Sequence, residues 1–313
     1  MESSKVVIIG TGLVGMSYAY SLVNQGVVEE LVLIDINKEK ALGEAMDLNH
    51  GLSFSPRKMK ITAGDYLDCQ DANLVVITAG VNQKDKESRL DLLRRNALIM
   101  KQVVNQVVSS GFDGILLVAS NPVDILSYVA WKESGLPSSR VIGSGTSLDT
   151  SRLRYEISAK INVSVDNVHA YIFGEHGDSE FVVWSKAFIG AKPMLDVIED
   201  MNQIEFDDLE KIYQRVKNAA YEIIKRKGAT YYGIGMALVK ITKAILNNEN
   251  RIMPISVLNE GAYDIENVYI GLTAMLNREG VDHIVKLKLN EEETKKLQSS
   301  ASILNNHLQQ LYK

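Results

Sequence analysis

The sequence predicts an α/β protein in which a doubly wound parallel sheet is followed by a mixed α+β domain. Three observations predict it. Short β-branched runs without in/out alternation recur through the first half, as in strands buried on both faces. Longer amphipathic segments separate those runs, and beyond Asp149 the strand–helix rhythm changes.

The candidate strands of the first half are residues 6–9, 31–34, 74–78, 115–119 and 141–142, with helices over 14–24, 38–48 and 90–109. Gly26 and Gly111 are placed as helix stops. Further on, residues 168–173, 252–258, 268–274 and 283–289 are strand-like without a helix between each successive pair, which predicts an antiparallel or mixed second domain. The change of rhythm puts the boundary near 145, giving a nucleotide-binding domain over 1–145 and a substrate domain over 146–313. The tail opens with Asn290 and Glu293 spaced as a capping box, then carries Leu297, Ala301, Leu304, Leu308 and Leu311 on one stripe, a long helix packed on its own domain.

Bulk properties exclude several classes. A net charge of −5 with interspersed signs offers no basic face for nucleic acid. The single cysteine, Cys69, rules out an intrachain disulfide and fits a reducing compartment. The first residues lack a basic region followed by an apolar core, and no stretch approaches the ~20 apolar residues of a membrane helix. A cytoplasmic protein with no membrane partner and no metal site is expected.

Gly10-Thr11-Gly12-Leu13-Val14-Gly15 directly follows the first strand and opens the first helix, so its amides and the helix dipole face an incoming anion. Glycine there allows the tight turn, the approach of a pyrophosphate and the packing of helix on strand. Asp35 ends the second strand twenty residues beyond Gly15, where a carboxylate accepts from a ribose diol and repels a 2′-phosphate. NAD is therefore favoured over NADP.

Hydride transfer to a ketone leaves an alkoxide that needs a proton, so such a site requires an acid near neutral pKa and a cation for a substrate carboxylate. Of the five histidines, His50, His283 and His307 sit in polar or helix-end contexts. His176 lies in the glycine-flanked loop Gly174-Glu175-His176-Gly177-Asp178-Ser179 just after a strand. A lone loop histidine is more often a solvated surface group, but Ser147-Leu148-Asp149-Thr150-Ser151-Arg152 supplies a carboxylate, Asp149, with an arginine three residues on along the same helical face.

With these motifs, Ser120-Asn121-Pro122-Val123-Asp124 and the segment from Gln83 to Arg89, the chain resembles the bacterial L-lactate dehydrogenases of the lactate/malate dehydrogenase superfamily over essentially its whole length. The resemblance implies a Rossmann domain that binds NAD through Gly10, Gly12, Leu13, Val14, Gly15, Asp35, Ala79, Gly80, Asn121 and Ile234. It makes His176 the proton donor in pyruvate reduction, oriented by Asp149, and Arg152 the bidentate partner of the substrate carboxylate. Arg89 would polarise the carbonyl from a closing loop; composition alone fits a lid and a plain solvated loop equally. Asn121 would bond the substrate oxygen and the cofactor ribose, with Pro122 following a cis bond.

Gln83 stands where malate dehydrogenases usually carry arginine, and Thr230 closes the pocket near the substrate methyl. Pyruvate/L-lactate is therefore expected, in the last step of homolactic fermentation; bulkier 2-oxo acids and then oxaloacetate are the alternatives. A non-catalytic protein on the same fold would have lost some of His176, Asp149, Arg152 and Arg89, and all four are present. Finally, the resemblance implies a homotetramer. Arg154 and His169 match the residues that bind fructose 1,6-bisphosphate as an allosteric effector, although they would serve equally at a simple subunit contact.

Overall fold

The computed structural model describes residues 4–81, 88–200 and 203–312; the side chain of Arg89 is outside the described part. In chain order the first half contains β1 Lys5–Ile9, α1 Leu13–Gln25, β2 Glu30–Ile34, α2 Lys38–His50, β3 Lys60–Ala63, β4 Leu74–Ile77, α3 Arg89–Ser109, β5 Ile115–Val118, α4 Val123–Ser134 and β6 Val141–Gly143. These six strands are parallel in the order β6-β5-β4-β1-β2-β3. The order reverses between β1 and β4, the crevice where doubly wound sheets place their ligands.

Strand burial explains why the first half is legible as apolar runs. Along β1, Val6 and Ile8 point into one core and Val7 and Ile9 into the other, so both faces are covered and no polar alternation survives. β3 was not among the expected strands: this edge strand, Lys-Ile-Thr-Ala, buries only Ile61 and presents no apolar run.

The second half comprises α5 Ser147–Ile161, β7 Val168–His169, β8 Ile172–Phe173, β9 Phe181–Val182, β10 Phe188–Ile189, β11 Lys192–Pro193, α6 Met194–Asp200, α7 Phe206–Lys227, α8 Tyr232–Leu246, β12 Arg251–Glu260, β13 Glu266–Asn277, β14 Gly280–Ile284 and α9 Glu291–Tyr312. β12 continues the large sheet antiparallel to β6, and β13 and β14 extend it, so a single nine-stranded sheet runs across the expected boundary. Two expectations need correction. Residues 168–173 are not one strand: β7 pairs with β10, whereas β8 pairs with β9 in a different sheet. The last strand is Gly280–Ile284, ending short of the expected 283–289; beyond it the Val285 amide donates to the Thr273 carbonyl and the Val285 carbonyl accepts from Thr273 Oγ1.

A third core, formed by Leu153, Ile157 and Ile161 of α5 with Leu209, Ile212 and Val216 of α7, belongs to the second half alone. At the end of the chain, Asn290 Oδ1 accepts from the Glu293 amide at 2.8 Å and Glu293 Oε2 accepts from the Asn290 amide at 3.0 Å, a reciprocal cap that starts α9. Leu297, Ala301, Leu304 and Leu308 are buried on its stripe, as the pattern predicts. No helix among the described residues is long and apolar enough to cross a membrane.

Candidate active site

Gly10 adopts φ +106° and leads into α1. A Cβ on Gly15 would lie 2.0 Å from the Gly10 carbonyl oxygen, so only glycine lets helix and loop pack this closely, whereas one on Gly12 would meet nothing within 4 Å. The first turn of α1 has no side-chain cap and no acidic residue, which leaves its amides for an outside acceptor. Leu13 is exposed there and Val14 packs against the core. The cleft in front has a volume of about 1110 Å³, and Gly10, Gly12, Asp35, Tyr66, Ala79 and Gly80 line it.

Asp35 follows β2 as expected. Its Oδ2 accepts from the amide and hydroxyl of Thr11 at 2.7 and 2.9 Å, and Oδ1 from the Asn37 amide at 2.9 Å. Burial opposes ionisation, but those donors and Lys40 hold the carboxyl below its ordinary pKa. A carboxylate offers about four acceptor positions, so room for a ribose hydroxyl remains on Oδ1. The uncapped amides and this charged carboxylate fit a dinucleotide diphosphate and diol.

The loop after β4 lines the cleft through Ala79, Gly80 and Val81, and the loop after β5 is tied to it. Ser120 Oγ donates to the Ala79 carbonyl at 2.5 Å, and Asn96 of α3 bonds the Val81 amide through Oδ1 at 2.9 Å and the Asn121 carbonyl through Nδ2 at 3.2 Å. The Asn121–Pro122 bond is cis, as expected. Asn96, 4 % exposed, ties the loops after β4 and β5 together, and nothing in the sequence had singled it out.

Asp149 belongs to the buried line of α5 that continues through Leu153, Ile157 and Ile161 at four-residue steps, which is why a carboxylate there is buried. Its Oδ2 lies 2.6 Å from His176 Nδ1, and its Oδ1 accepts from Arg152 Nη1 at 2.9 Å. Burial alone would raise the Asp149 pKa; the cationic neighbours His176 and Arg152 bring it below the ordinary carboxylate range. The Asp149 charge in turn pushes His176 up to about 9, with burial opposing.

The His176 loop is pinned from several elements. Gly174 and Gly271 of β13 exchange backbone hydrogen bonds at 2.9 and 3.1 Å, an approach that a Cβ on Gly271, 2.7 Å from the Gly174 oxygen, would block. The Ile172 amide donates to Thr150 Oγ1 and Thr146 Oγ1 donates to the Ile172 carbonyl, joining β8 to α5. Ser300 of α9 accepts from the Glu175 amide at 2.8 Å.

Asp124, in the first turn of α4, accepts from the His176 amide at 2.8 Å and from Ser256 Oγ at 2.5 Å. Burial pushes its pKa up to about 6, against those two bonds. Sequence reasoning quoted Asp124 inside a motif but gave it no role. Glu180, 5 % exposed, was missed altogether, because a glutamate in a polar loop carries no signal of burial.

α8 sits between the two halves of the site. A Cβ on Gly235 would lie 2.9 Å from the Ser17 backbone in α1, and one on Gly233 2.9 Å from Leu148 Cδ1, the neighbour of Asp149. Thr230 lies just before α8, and Ile234, in its first turn, is partly buried and packs against the first core. Gln83 and most of the 83–90 loop lie outside the described residues, and Arg89 opens α3 with its side chain undescribed. Arg154 Nε donates to the Ala170 carbonyl at 3.1 Å, its guanidinium is 5.0 Å from the Tyr171 ring centroid, and His169 is exposed on β7.

An imidazole held by a carboxylate that also holds a guanidinium, on a fold with an uncapped glycine-turn helix, offers the proton donor and the anion-binding cation that a hydride-transferring oxidoreductase requires. The chain belongs to the lactate/malate dehydrogenase family: the model of its NAD binding domain matches residues 4–143 and that of its alpha/beta C-terminal domain residues 146–313. The chain is 56 % identical over 301 residues to L-lactate dehydrogenase 2 of Bacillus cereus (strain ZK / E33L), covering 96 % of each chain. It is 55 % identical over 309 residues to L-lactate dehydrogenase of Geobacillus sp. (strain WCH70), covering 99 % of this chain and 97 % of the other. Among solved structures, the MGS-M5 lactate dehydrogenase from a Medee basin deep-sea metagenome library superposes with a TM-score of 0.99 at 70 % identity over 100 % of both chains. The ligands-bound minor L-lactate dehydrogenase of Enterococcus mundtii gives 0.96 at 51 % identity over 98 % of both.

Proposed function

We propose that the chain is an NAD-dependent L-lactate dehydrogenase that interconverts pyruvate and L-lactate. The observation that carries this reading is the double use of Asp149, one oxygen on His176 and the other on Arg152. When bound, the nicotinamide supplies or accepts the hydride. With Nδ1 turned to Asp149, His176 has Nε2 left to give a proton to the nascent alkoxide in reduction and to take it back in oxidation. Asp149 fixes the tautomer and stabilises the imidazolium.

One of the five N–H donors of Arg152 is spent on Asp149, and the remainder suffice for two parallel bonds to a substrate carboxylate. Arg89 polarises the substrate carbonyl, Asn121 orients the carbonyl oxygen and the cofactor ribose, and Thr230 bounds the methyl pocket. Gly10, Gly12, Leu13, Val14, Gly15, Asp35, Ala79, Gly80 and Ile234 hold NAD. Gln83 leaves a second substrate carboxylate without a cation, which favours pyruvate over oxaloacetate. A homotetramer in the cytoplasm, with fructose 1,6-bisphosphate bound by Arg154 and His169, completes the proposal.

The test is the loss of NADH absorbance with pyruvate, oxaloacetate and 2-oxoisocaproate in parallel. Rapid loss with pyruvate alone is expected; equal or faster turnover of either competitor rejects the substrate assignment.

A further inference from the structure

We infer that Glu180 is a positioning residue for the proton of His176: its buried carboxyl, sharing one small space with Asp149 and the imidazole, sets how firmly the ring keeps that proton. The inference deepens the proposed function and rests on it for the proton's destination.

The geometry is specific. Carboxylate oxygens of Asp149 and Glu180 and a ring nitrogen of His176 all lie within 4.8 Å of one another. The backbone of Glu180 is fixed, its amide donating to the Gly177 carbonyl at 3.3 Å and its carbonyl accepting from the Tyr213 hydroxyl of α7. Its carboxyl, by contrast, accepts no hydrogen bond among the described residues, whereas both oxygens of Asp149 are engaged. Nothing local explains why a glutamate is buried there, and an apolar or hydroxyl side chain would fill the space without the desolvation cost.

Two carboxyls in one buried space do not both ionise at neutral pH. Asp149, paired with His176 and Arg152, takes the charge. Glu180 is left neutral, with burial and then the Asp149 charge pushing it up to about 8. The other titratable and charged groups around the pair are Arg152 of α5, Asp124 of α4, Glu175 in the same loop, and Tyr213 and Lys217 of α7. Lys217 donates to the Asp178 carbonyl at 2.7 Å and, among the described residues, makes no hydrogen bond to Glu180, on which it acts only through its charge.

The sign of the effect follows. As pH rises through about 8, Glu180 releases its proton to solvent, and the new negative charge faces an imidazolium that still carries its own proton. That charge extends proton retention on His176 towards about 9. The proton lost in reduction goes from His176 to the substrate oxygen and is replaced from solvent; Glu180 takes no part in bond making and changes only the affinity of the ring.

The decisive experiment is a ¹⁵N NMR titration of the His176 ring in the free protein, without nucleotide or substrate, for wild type and Glu180→Gln. Above pH 7, where Asp124 is already ionised, wild type should titrate in two coupled steps. The variant should titrate in one, with a midpoint lower by about one pH unit. A single step in wild type overturns the inference, as does an unmoved midpoint in the variant, and the wild-type curve decides alone if the variant does not fold. In turnover, the alkaline midpoint of kcat/KM for pyruvate should fall by a similar amount in Glu180→Gln. A uniform loss at every pH with the midpoint unmoved, the signature of packing, overturns the role. Absence of pyruvate reduction by wild type would count against the proposed function, while the titration would still judge Glu180.

Discussion

Asp149 Oδ2 and His176 Nδ1 are 2.6 Å apart, and the aspartate is the side chain of a helix line that otherwise holds leucine and isoleucine. The pair therefore has little water to screen it, and its effect on proton affinity is large. Reduction consumes the imidazolium and oxidation requires the neutral ring. With His176 raised to about 9, pyruvate reduction should hold through neutral pH and decline as pH passes that region, while lactate oxidation rises over the same interval. Opposed pH profiles of kcat/KM in the two directions are the check; parallel profiles would remove His176 from the proton step.

Replacing Asp149 by Asn keeps the shape and removes the charge. The ring then loses the partner that fixes its tautomer and stabilises its cation, and Arg152 loses its carboxylate. A fall in kcat of roughly 10²–10⁴-fold is expected, with the His176 midpoint moving down. Steady-state kinetics with pyruvate measure it, and retention of wild-type kcat would contradict the role.

Asp124 makes a different kind of contribution, because it holds the backbone of His176 rather than its ring. Asp124→Ala strands the His176 amide and the Ser256 hydroxyl in a buried setting, which costs about 1–3 kcal/mol. Asn at the same position can accept from the amide and donate to Ser256, restoring both bonds. Thermal melting should show the loss in Ala and its recovery in Asn, with kcat following the same order; equal stability of the two variants would show that the clamp carries no weight.

How much of this was legible in the sequence depends on the range of the interaction. Runs such as Leu74–Ile77 announce a fully buried strand from composition alone, and the glycine turn with Asp35 announces a nucleotide site, because each is local. Which strand pairs with which is not local: the run from Val168 to Phe173 is buried throughout except at His169 and Tyr171, yet the chain changes sheets within it. The proton-handling trio could be assembled because Asp149 and Arg152 share a helix turn and the resemblance supplied His176. Asp124 and Glu180 could not, since each gains its meaning from residues that only the tertiary fold brings near. Asp124 meets the His176 amide across 52 positions and Ser256 across 132.

The proposed preference for pyruvate rests on Gln83, a neutral residue that offers no cation to the second carboxylate of oxaloacetate. Gln83→Arg supplies the missing cation at a cost of solvation that the new ion pair offsets. A gain of about 3 kcal/mol in transition-state binding, roughly a hundredfold in kcat/KM for oxaloacetate, is expected, together with a loss for pyruvate. Parallel assays of the two oxo acids measure it, and no gain over wild type would count against the account.

The effector proposal turns on Arg154. Its Nε donates to the Ala170 carbonyl and its guanidinium carbon lies 5.0 Å from the Tyr171 ring centroid, so the side chain is held in place with its terminal nitrogens unspent on that carbonyl. A pre-ordered guanidinium suits a phosphate, since less side-chain entropy is lost on binding. Coupling of ordinary size would lower the half-saturating pyruvate concentration by about 5- to 150-fold on adding fructose 1,6-bisphosphate, and Arg154→Gln should abolish that shift. The titration belongs at limiting pyruvate, where a change in affinity is visible in the rate. A half-saturation value that stays put in wild type rejects the effector site and leaves Arg154 and His169 as residues of a subunit contact.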